Sequence, residues 1–169
     1  AIAGVVWLLL PRGFPARWVG ISALFPLFLV APSAPVAGEL ELTVLDVGQG
    51  LAIVARTRNH ALLYDAGPAF GPQADSGNRV IVPYLRASGV DALSGMIVSH
   101  DDSDHSGGAA SVAQAVPVAW LLSSLPESRP VQALFASPRR CAAGMRWQWD
   151  EVEFEMLHPT TAHYEREKF

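Results

Sequence analysis

A single cysteine, Cys141, stands in a chain of 169 residues. An internal disulfide is therefore excluded, the redox compartment is left open, and the thiol reads as a small buried or half-buried side chain. Charge is scarce as well, at 17% of residues, and no acidic residue precedes Glu39. Between Arg17 and Glu39 no side chain is charged at all, a run about as long as the ~20 residues needed to cross a bilayer core. From Glu39 onward the shortage reverses: all sixteen acidic residues lie there, against ten basic ones. An acidic region of this kind is not a generic nucleic-acid binder, and a metal ion and local arginines would have to attract a phosphate backbone.

The front therefore reads as a membrane-associated hydrophobic segment and linker over residues 1–38, a transmembrane-like stretch. An apolar run, Ala1 to Leu10, leads into a basic joint, Pro11-Arg12-Gly13-Phe14-Pro15-Ala16-Arg17, and a second run extends from Trp18 to Gly38. The joint carries two arginines and no acid, which places it on the cytoplasmic face and the chain beyond Gly38 outside the cytoplasm. Pro26, Pro32 and Pro35 oppose a long helix, although membrane helices tolerate proline better than soluble ones. The alternative is a buried soluble helix over Val19 to Ala31 followed by a Pro/Ala linker. Ala1 is not an initiator methionine, and the chain is expected to be part of something longer.

What the remainder does contain is a succession of short strands and helices. Glu39 to Val44 alternates polar and apolar residues as a half-buried strand does, and Leu45-Asp46-Val47-Gly48-Gln49-Gly50 marks a turn or a close backbone approach. Leu51 to Arg56 and Ala61 to Tyr64 read as the next two strands, joined at Thr57 to His60, the third ending at Asp65-Ala66-Gly67-Pro68. Helical spacing runs from Asn78 to Ser88. Pro83 suits a first turn if the helix starts near Val82, and Gly89 suits its C-terminal cap. Gly95 to Val98 is a buried strand and Gly107 to Ala115 a helix. Met145 to Trp149 and Val152 to Leu157 form a late hairpin whose turn, Asp150-Glu151, lacks the glycine a tight turn prefers. Trp120, Trp147 and Trp149 fit packing better than base stacking. Arg139, Arg140 and Arg146 make the one basic cluster.

The densest signal lies in Ser99-His100-Asp101-Asp102-Ser103-Asp104-His105-Ser106-Gly107-Gly108. Neighbouring carboxylates repel one another and are costly to desolvate unless a cation compensates, so two histidines and three aspartates within six residues predict a metal site. On a helix these residues would diverge; on an irregular strand-to-helix loop they converge. Helix capping accounts for one such residue and is retained for Asp101 and Ser103.

This stretch resembles the metal-binding motif of the metallo-β-lactamase superfamily, with Asp102 where most members carry a second histidine. Taken with Leu45 to Gly50, Tyr64-Asp65-Ala66-Gly67, Val82-Pro83-Tyr84-Leu85 and Leu157-His158-Pro159, it is similar to the ComEC-type competence family, polytopic membrane proteins of bacterial DNA uptake. The resemblance implies an α/β fold, an αββα sandwich over residues 39–169, incomplete at its C-terminal end because a bridging acid and a late histidine would come after Phe169. It implies that His100 and Asp102 hold one divalent ion and Asp104 and His105 a second, with Asp104 also orienting the attacking water as the catalytic residue.

Asp46, Gln49, Asp65 and His158 would stand beside the site, His158 as a structural residue or a further ligand. His60 and His163 read as surface residues. Leu51 occupies a position where many relatives carry aspartate. The oxygen-rich ligand set favours manganese or magnesium, while the general affinity order keeps zinc in play. The implied activity is a metal-dependent phosphodiesterase, a nuclease-type hydrolase acting on incoming DNA. A non-catalytic, metal-stabilised module that guides DNA through the uptake channel, and a generic small-molecule metallohydrolase, are the alternatives. The implied partners are DNA, the cytoplasmic membrane through the N-terminal segment, and other DNA-uptake proteins. The implied location is the bacterial inner membrane, with the soluble part on its outer, periplasmic side.

Overall fold

The computed structural model describes residues 2–11, 13–28 and 33–166 and divides into two compact units, Ala1–Ser33 and Ala34–Phe169. In the first, helix α1 (Ile2–Leu8) and a 3-10 helix (Arg17–Phe28) lie against each other. They meet at two glycines, since a Cβ on Gly4 would come within 2.6 Å of the Gly20 carbonyl oxygen and one on Gly20 within 2.7 Å of that of Gly4. Arg17 Nε donates to the Leu8 carbonyl at 3.1 Å. The uncharged run thus folds, where described, as a 3-10 helix rather than one long α-helix. Pro26 lies inside it, a residue without the N–H that an α-helical ladder needs. No helix among the described residues is long and apolar enough to cross a membrane. Val19 and Ile21, within the stretch read alternatively as a buried helix, are exposed. Arg12 and residues 29–32 lie outside the described residues.

The second unit is a mixed α/β structure around a six-stranded sheet. Strands β1 (Glu41–Val44), β2 (Ile53–Arg56) and β3 (Ala61–Tyr64) run antiparallel. Strands β6 (Gly95–Val98), β7 (Leu121–Ser123) and β8 (Arg139–Arg140) continue it in parallel, in the order β1-β2-β3-β6-β7-β8. A small pair, β4 (Ala69–Gly71) and β5 (Ala74–Asp75), stands apart. Side chains alternate across the sheet as strand geometry requires. Val54, Leu63, Met96, Val98 and Leu121 face the larger core with Ile81, Leu85 and Val112, which come from α2 (Val82–Ala87), the π-helical turn before it (Gly77–Ile81) and α4 (Ala109–Ala115). Pro83 sits in the first turn of α2, and Gly89, at φ 69°, comes directly after the Ser88 cap.

The opposite face carries Ala55, Leu62, Ile97 and Leu122 with Cys141. The hairpin β9 (Arg146–Trp149) and β10 (Val152–Glu155) covers it with Trp147, Trp149 and Phe154. Gly95 leaves room for the Trp120 indole, which a Cβ there would meet at 2.4 Å, and Trp120 packs edge-on to Trp147 with centroids 5.7 Å apart. The tryptophans are therefore packing residues. The basic cluster is divided: Arg146 pairs with Glu155 at 2.8 Å, while the Arg140 guanidinium lies over the Tyr164 ring at 4.8 Å.

The hairpin turn achieves its tight geometry without glycine. Asp150 and Glu151 adopt φ of 48° and 72°, and Asp150 reaches across to the β2–β3 turn. Its Oδ2 accepts hydrogen bonds from Thr57 Oγ1 at 2.6 Å, Asn59 N at 2.7 Å and His60 Nδ1 at 3.0 Å, and its Oδ1 accepts from Asn59 Nδ2 at 2.6 Å. These bonds, led by that of Thr57, hold the Asp150 carboxyl well below the usual carboxylate range. His60 also stacks on Trp149, with centroids 4.8 Å apart and planes 3° from parallel. It is a fastening between layers rather than a free surface histidine.

Candidate metal centre

Strand β6 delivers Ser99 and His100 to its C-terminal end, where binding residues gather in open α/β sheets. The chain then forms one helical turn, α3 (Ser103–Ser106), instead of an irregular loop. The Asp102 carbonyl is the cause, accepting the N–H groups of His105 and Ser106 at 3.0 Å each. Asp102, not Asp101 or Ser103, occupies the N-terminal cap position, and its side chain makes no capping bond. Asp101 pairs instead with Arg129. Convergence survives because the turn carries only Asp104 and His105, and His100 approaches from the strand end.

Three of the four residues expected as ligands come together. One ligand atom each of His100, Asp104 and His105 lies within 4.8 Å of the others, and the two imidazole centroids are 4.0 Å apart. His105 Nε2 is 3.7 Å from Asp104 Oδ2, and His100 Nε2 is 3.3 Å from Asp102 Oδ2. Asp102 stands outermost, its side chain 77% exposed, touching the cluster through His100.

Asp65, at the end of β3 with φ 58°, is wholly buried beneath the site. Its Oδ1 accepts Ser99 N–H at 2.7 Å, and its Oδ2 accepts Ser99 Oγ–H at 2.7 Å and His105 Nδ1–H at 2.8 Å. A ring whose Nδ1 proton is committed in this way presents Nε2 for ligation, the usual arrangement behind a metal-bound histidine. The backbone is tied down as well: Ala66 N–H donates to the His105 carbonyl at 2.7 Å and Leu51 N–H to that of Asp104 at 3.1 Å. Two glycines permit these approaches. A Cβ on Gly50 would lie 2.4 Å from the Asp104 carbonyl oxygen, and one on Gly108 2.4 Å from that of Ala66. The Leu45–Gly50 motif thus serves as a backbone cradle. Within it Asp46 accepts only the nearby Gly48 N–H, at 3.2 Å, and Gln49 is exposed; neither joins the three-residue cluster.

A cavity of about 550 Å³ opens beside the cluster, with His100 and Asp102 on one wall and His158, His163 and Tyr164 on another. His158 and His163 lie with ring centroids 4.9 Å apart. His163 belongs to α5 (Thr161–Arg166) and is exposed, as expected of a surface residue, while also lining this wall. Five residues of spacing after His158 were the only signal. Tyr164 OH bonds the Cys141 carbonyl and Ser124 Oγ, both at 2.9 Å. Burial pushes the Cys141 thiol up to about 11, so it stays protonated near neutral pH and offers neither a ligand thiolate nor a nucleophile.

Imidazole and carboxylate donors at these separations, one ring already anchored through its far nitrogen, fit a divalent ion. A mixed α/β sheet with an acid-and-histidine centre at a strand end, and glycines seating that centre on two neighbouring loops, defines a class. The profile of the metallo-β-lactamase superfamily matches residues 45–163, and the chain belongs to that superfamily. Within it the chain is similar to competence protein ComA of Neisseria gonorrhoeae, 38% identical over 160 residues, which cover 95% of this chain and 21% of that protein. It is also similar to recombination protein 2 of Haemophilus influenzae, 35% identical over 123 residues, 70% of this chain and 14% of that protein. A third relative is protein YcaI of Escherichia coli, 35% identical over 158 residues, 92% of this chain and 19% of the other. The chain therefore spans about a fifth or less of the length of these relatives.

Proposed function

We propose that the chain supplies the divalent-metal-dependent, phosphodiesterase-type hydrolase domain of a ComEC-type DNA-uptake protein, with DNA as substrate and residues 1–38 as its membrane-associated part at the bacterial inner membrane. The observation that carries this reading is the gathering of His100, Asp104 and His105 within 4.8 Å over a buried Asp65. Membership of the superfamily and likeness to a competence protein and a recombination protein support it. The order helix layer, sheet, hairpin supports an αββα sandwich. His100, Asp104 and His105 would hold an ion, with Asp102 adding a further oxygen ligand through its place beside His100. His158 and His163 face the same cavity.

When bound, a divalent ion polarises a phosphoryl oxygen and acidifies a water. The chain's own residues do the rest. Asp65 fixes His105, Asp104 takes up or orients the proton of a water at the cluster, and the anchored loops keep these groups from separating. Arg129 is engaged by Asp101, so it is no free cation for a phosphate, and attraction at the cluster falls to the ion. Oxygen-rich ligation points to manganese, with zinc the competitor.

The test is cleavage of an end-labelled single-stranded DNA by the full chain with added manganese. Cleavage that disappears in both Asp104→Asn and His105→Ala is expected. Equal cleavage in wild type and both variants would sink the assignment, and metal binding without any cleavage in the wild type would favour a module that guides DNA.

A further inference from the structure

Ser99 is the link between the buried carboxylate of Asp65 and the ring of His100. Its Oγ lies 2.7 Å from Asp65 Oδ2 and 2.9 Å from His100 Nδ1. A serine hydroxyl has one proton to give and two lone pairs to accept with, whereas an ionised carboxylate only accepts. If that proton pointed at His100, two oxygen lone pairs would face each other at 2.7 Å inside a site where Asp65 is fully buried. An unsatisfied or repulsive contact of that kind is strongly disfavoured. The proton therefore goes to Asp65, and the free lone pair of Oγ accepts Nδ1–H from His100. A neutral imidazole carries one N–H, so in the neutral ring His100 Nε2 is left bare; Asp102 Oδ2, 3.3 Å away, belongs to a side chain that is 77% exposed and hydrated, unlike the buried Asp65.

From this arrangement we infer that Ser99 is a positioning residue: it holds His100 in the Nδ1–H tautomer, with Nε2 presented for ligation, by relaying the charge of Asp65. Asp65 then sets both histidines of the cluster, His105 by direct contact at 2.8 Å and His100 through one hydroxyl. Free histidine in water prefers the opposite, Nε2–H form, so without the relay His100 would present a proton where a ligand lone pair is needed. Alanine cannot replace Ser99 in this role; threonine, which keeps the hydroxyl on the same carbon, can. The consequence for metal binding rests on the reading of His100 as a ligand, whereas the tautomer does not.

The experiment is nitrogen-15 NMR of the imidazoles in the metal-free full chain, followed upward in pH until each ring has lost its second proton, paired with calorimetric titration of Mn²⁺ and Zn²⁺. In the wild type both His100 and His105 are expected as Nδ1–H. In Ser99→Ala, His100 shifts toward Nε2–H while His105 does not, and metal affinity falls about ten- to a hundredfold, the usual cost of losing a partner behind a ligand. Ser99→Thr restores both. A wild-type His100 carrying its proton on Nε2, which needs no variant to detect, overturns the inference, as does a Ser99→Ala variant with an unmoved His100 tautomer. Unchanged metal affinity in Ser99→Ala, with the tautomer moved, overturns its role in ligation. A wild type with the stated tautomers that binds neither ion overturns the metal reading of the site and leaves the relay standing.

Discussion

Asp65 and Asp150 are two uses of one device. Each is an aspartate in the left-handed region, at φ 58° and 48°, each collects hydrogen bonds from a neighbouring turn, and each accepts from a histidine Nδ1, at 2.8 and 3.0 Å. What differs is the far side of the ring. His105 turns its remaining nitrogen toward Asp104, beside His100, whereas His60 lies flat on Trp149. An Asp–His pair is therefore not a site in itself; the second nitrogen must face other donors. The Asp65 pair holds a candidate metal cluster in shape, and the Asp150 pair fastens the β9–β10 hairpin over the sheet.

Exchanging each carboxylate for its amide breaks that comparison most sharply. In Asp65→Asn the amide must face Ser99 N–H, Ser99 Oγ–H and His105 Nδ1–H with one oxygen and one NH₂. Either orientation sets a donor against a donor, costing about 1–3 kcal/mol at a buried position. If the NH₂ meets His105, the ring must accept at Nδ1 and carry its proton on Nε2, the wrong form for a ligand. We expect a stability loss of about that size by urea denaturation and a fall in Mn²⁺ affinity of at least about tenfold. Asp150→Asn should leave metal affinity unchanged and lower the urea midpoint by less. Its amide oxygen can keep the Thr57, Asn59 N–H and His60 bonds, and only the exposed Asn59 side chain need turn. Loss of metal affinity in Asp150→Asn would show that the two devices are coupled.

Acid sharpens the difference. The Asp150 carboxyl is held below its ordinary value of 3.8, first by Thr57 and then by His60 and Asn59. A carboxylate depressed on folding contributes stability that is complete above the unfolded pKa and is lost as pH falls through the folded one. The stability gap between wild type and Asp150→Asn should accordingly be constant near neutrality and close progressively below about pH 4. A gap that stayed open as the pH fell further would place the effect in packing of the turn instead of in the charge.

Much of this architecture is readable from the chain because its causes are local. The strands Ala61–Tyr64 and Gly95–Val98 arise from short apolar runs bounded by turn residues, and Pro83 marks the first turn of α2 because only there is its missing N–H harmless. The cluster from His100 to His105 is conspicuous because charges so close in sequence need a reason. Other features depend on partners far along the chain. Asp150 reads as a poor hairpin turn until Thr57, Asn59 and His60, about ninety residues earlier, supply its hydrogen bonds. Ser99 carries no signal in its own right, since serine suits almost any strand end. The α3 turn is built by the Asp102 carbonyl, which every residue possesses, while the aspartate side chain that drew attention makes no cap. His163 enters the cavity wall only because the chain doubles back after β10.

Asp102 gives the smallest expected change in stability and so separates ligation from architecture. Its side chain is 77% exposed and supports no backbone group, so Asp102→His should alter stability by no more than about 0.5 kcal/mol. Its effect should appear instead in which ion is held. Replacing an oxygen donor by an imidazole softens the set and should move the preference from Mn²⁺ toward Zn²⁺, read as the ratio of the two affinities by competition. His100 would keep its tautomer throughout, because Ser99 and Asp65 act on Nδ1 and Asp102 on Nε2. An unchanged ratio with unchanged stability would remove Asp102 from the ligand set and confine it to His100, Asp104 and His105, the three residues over the buried carboxylate.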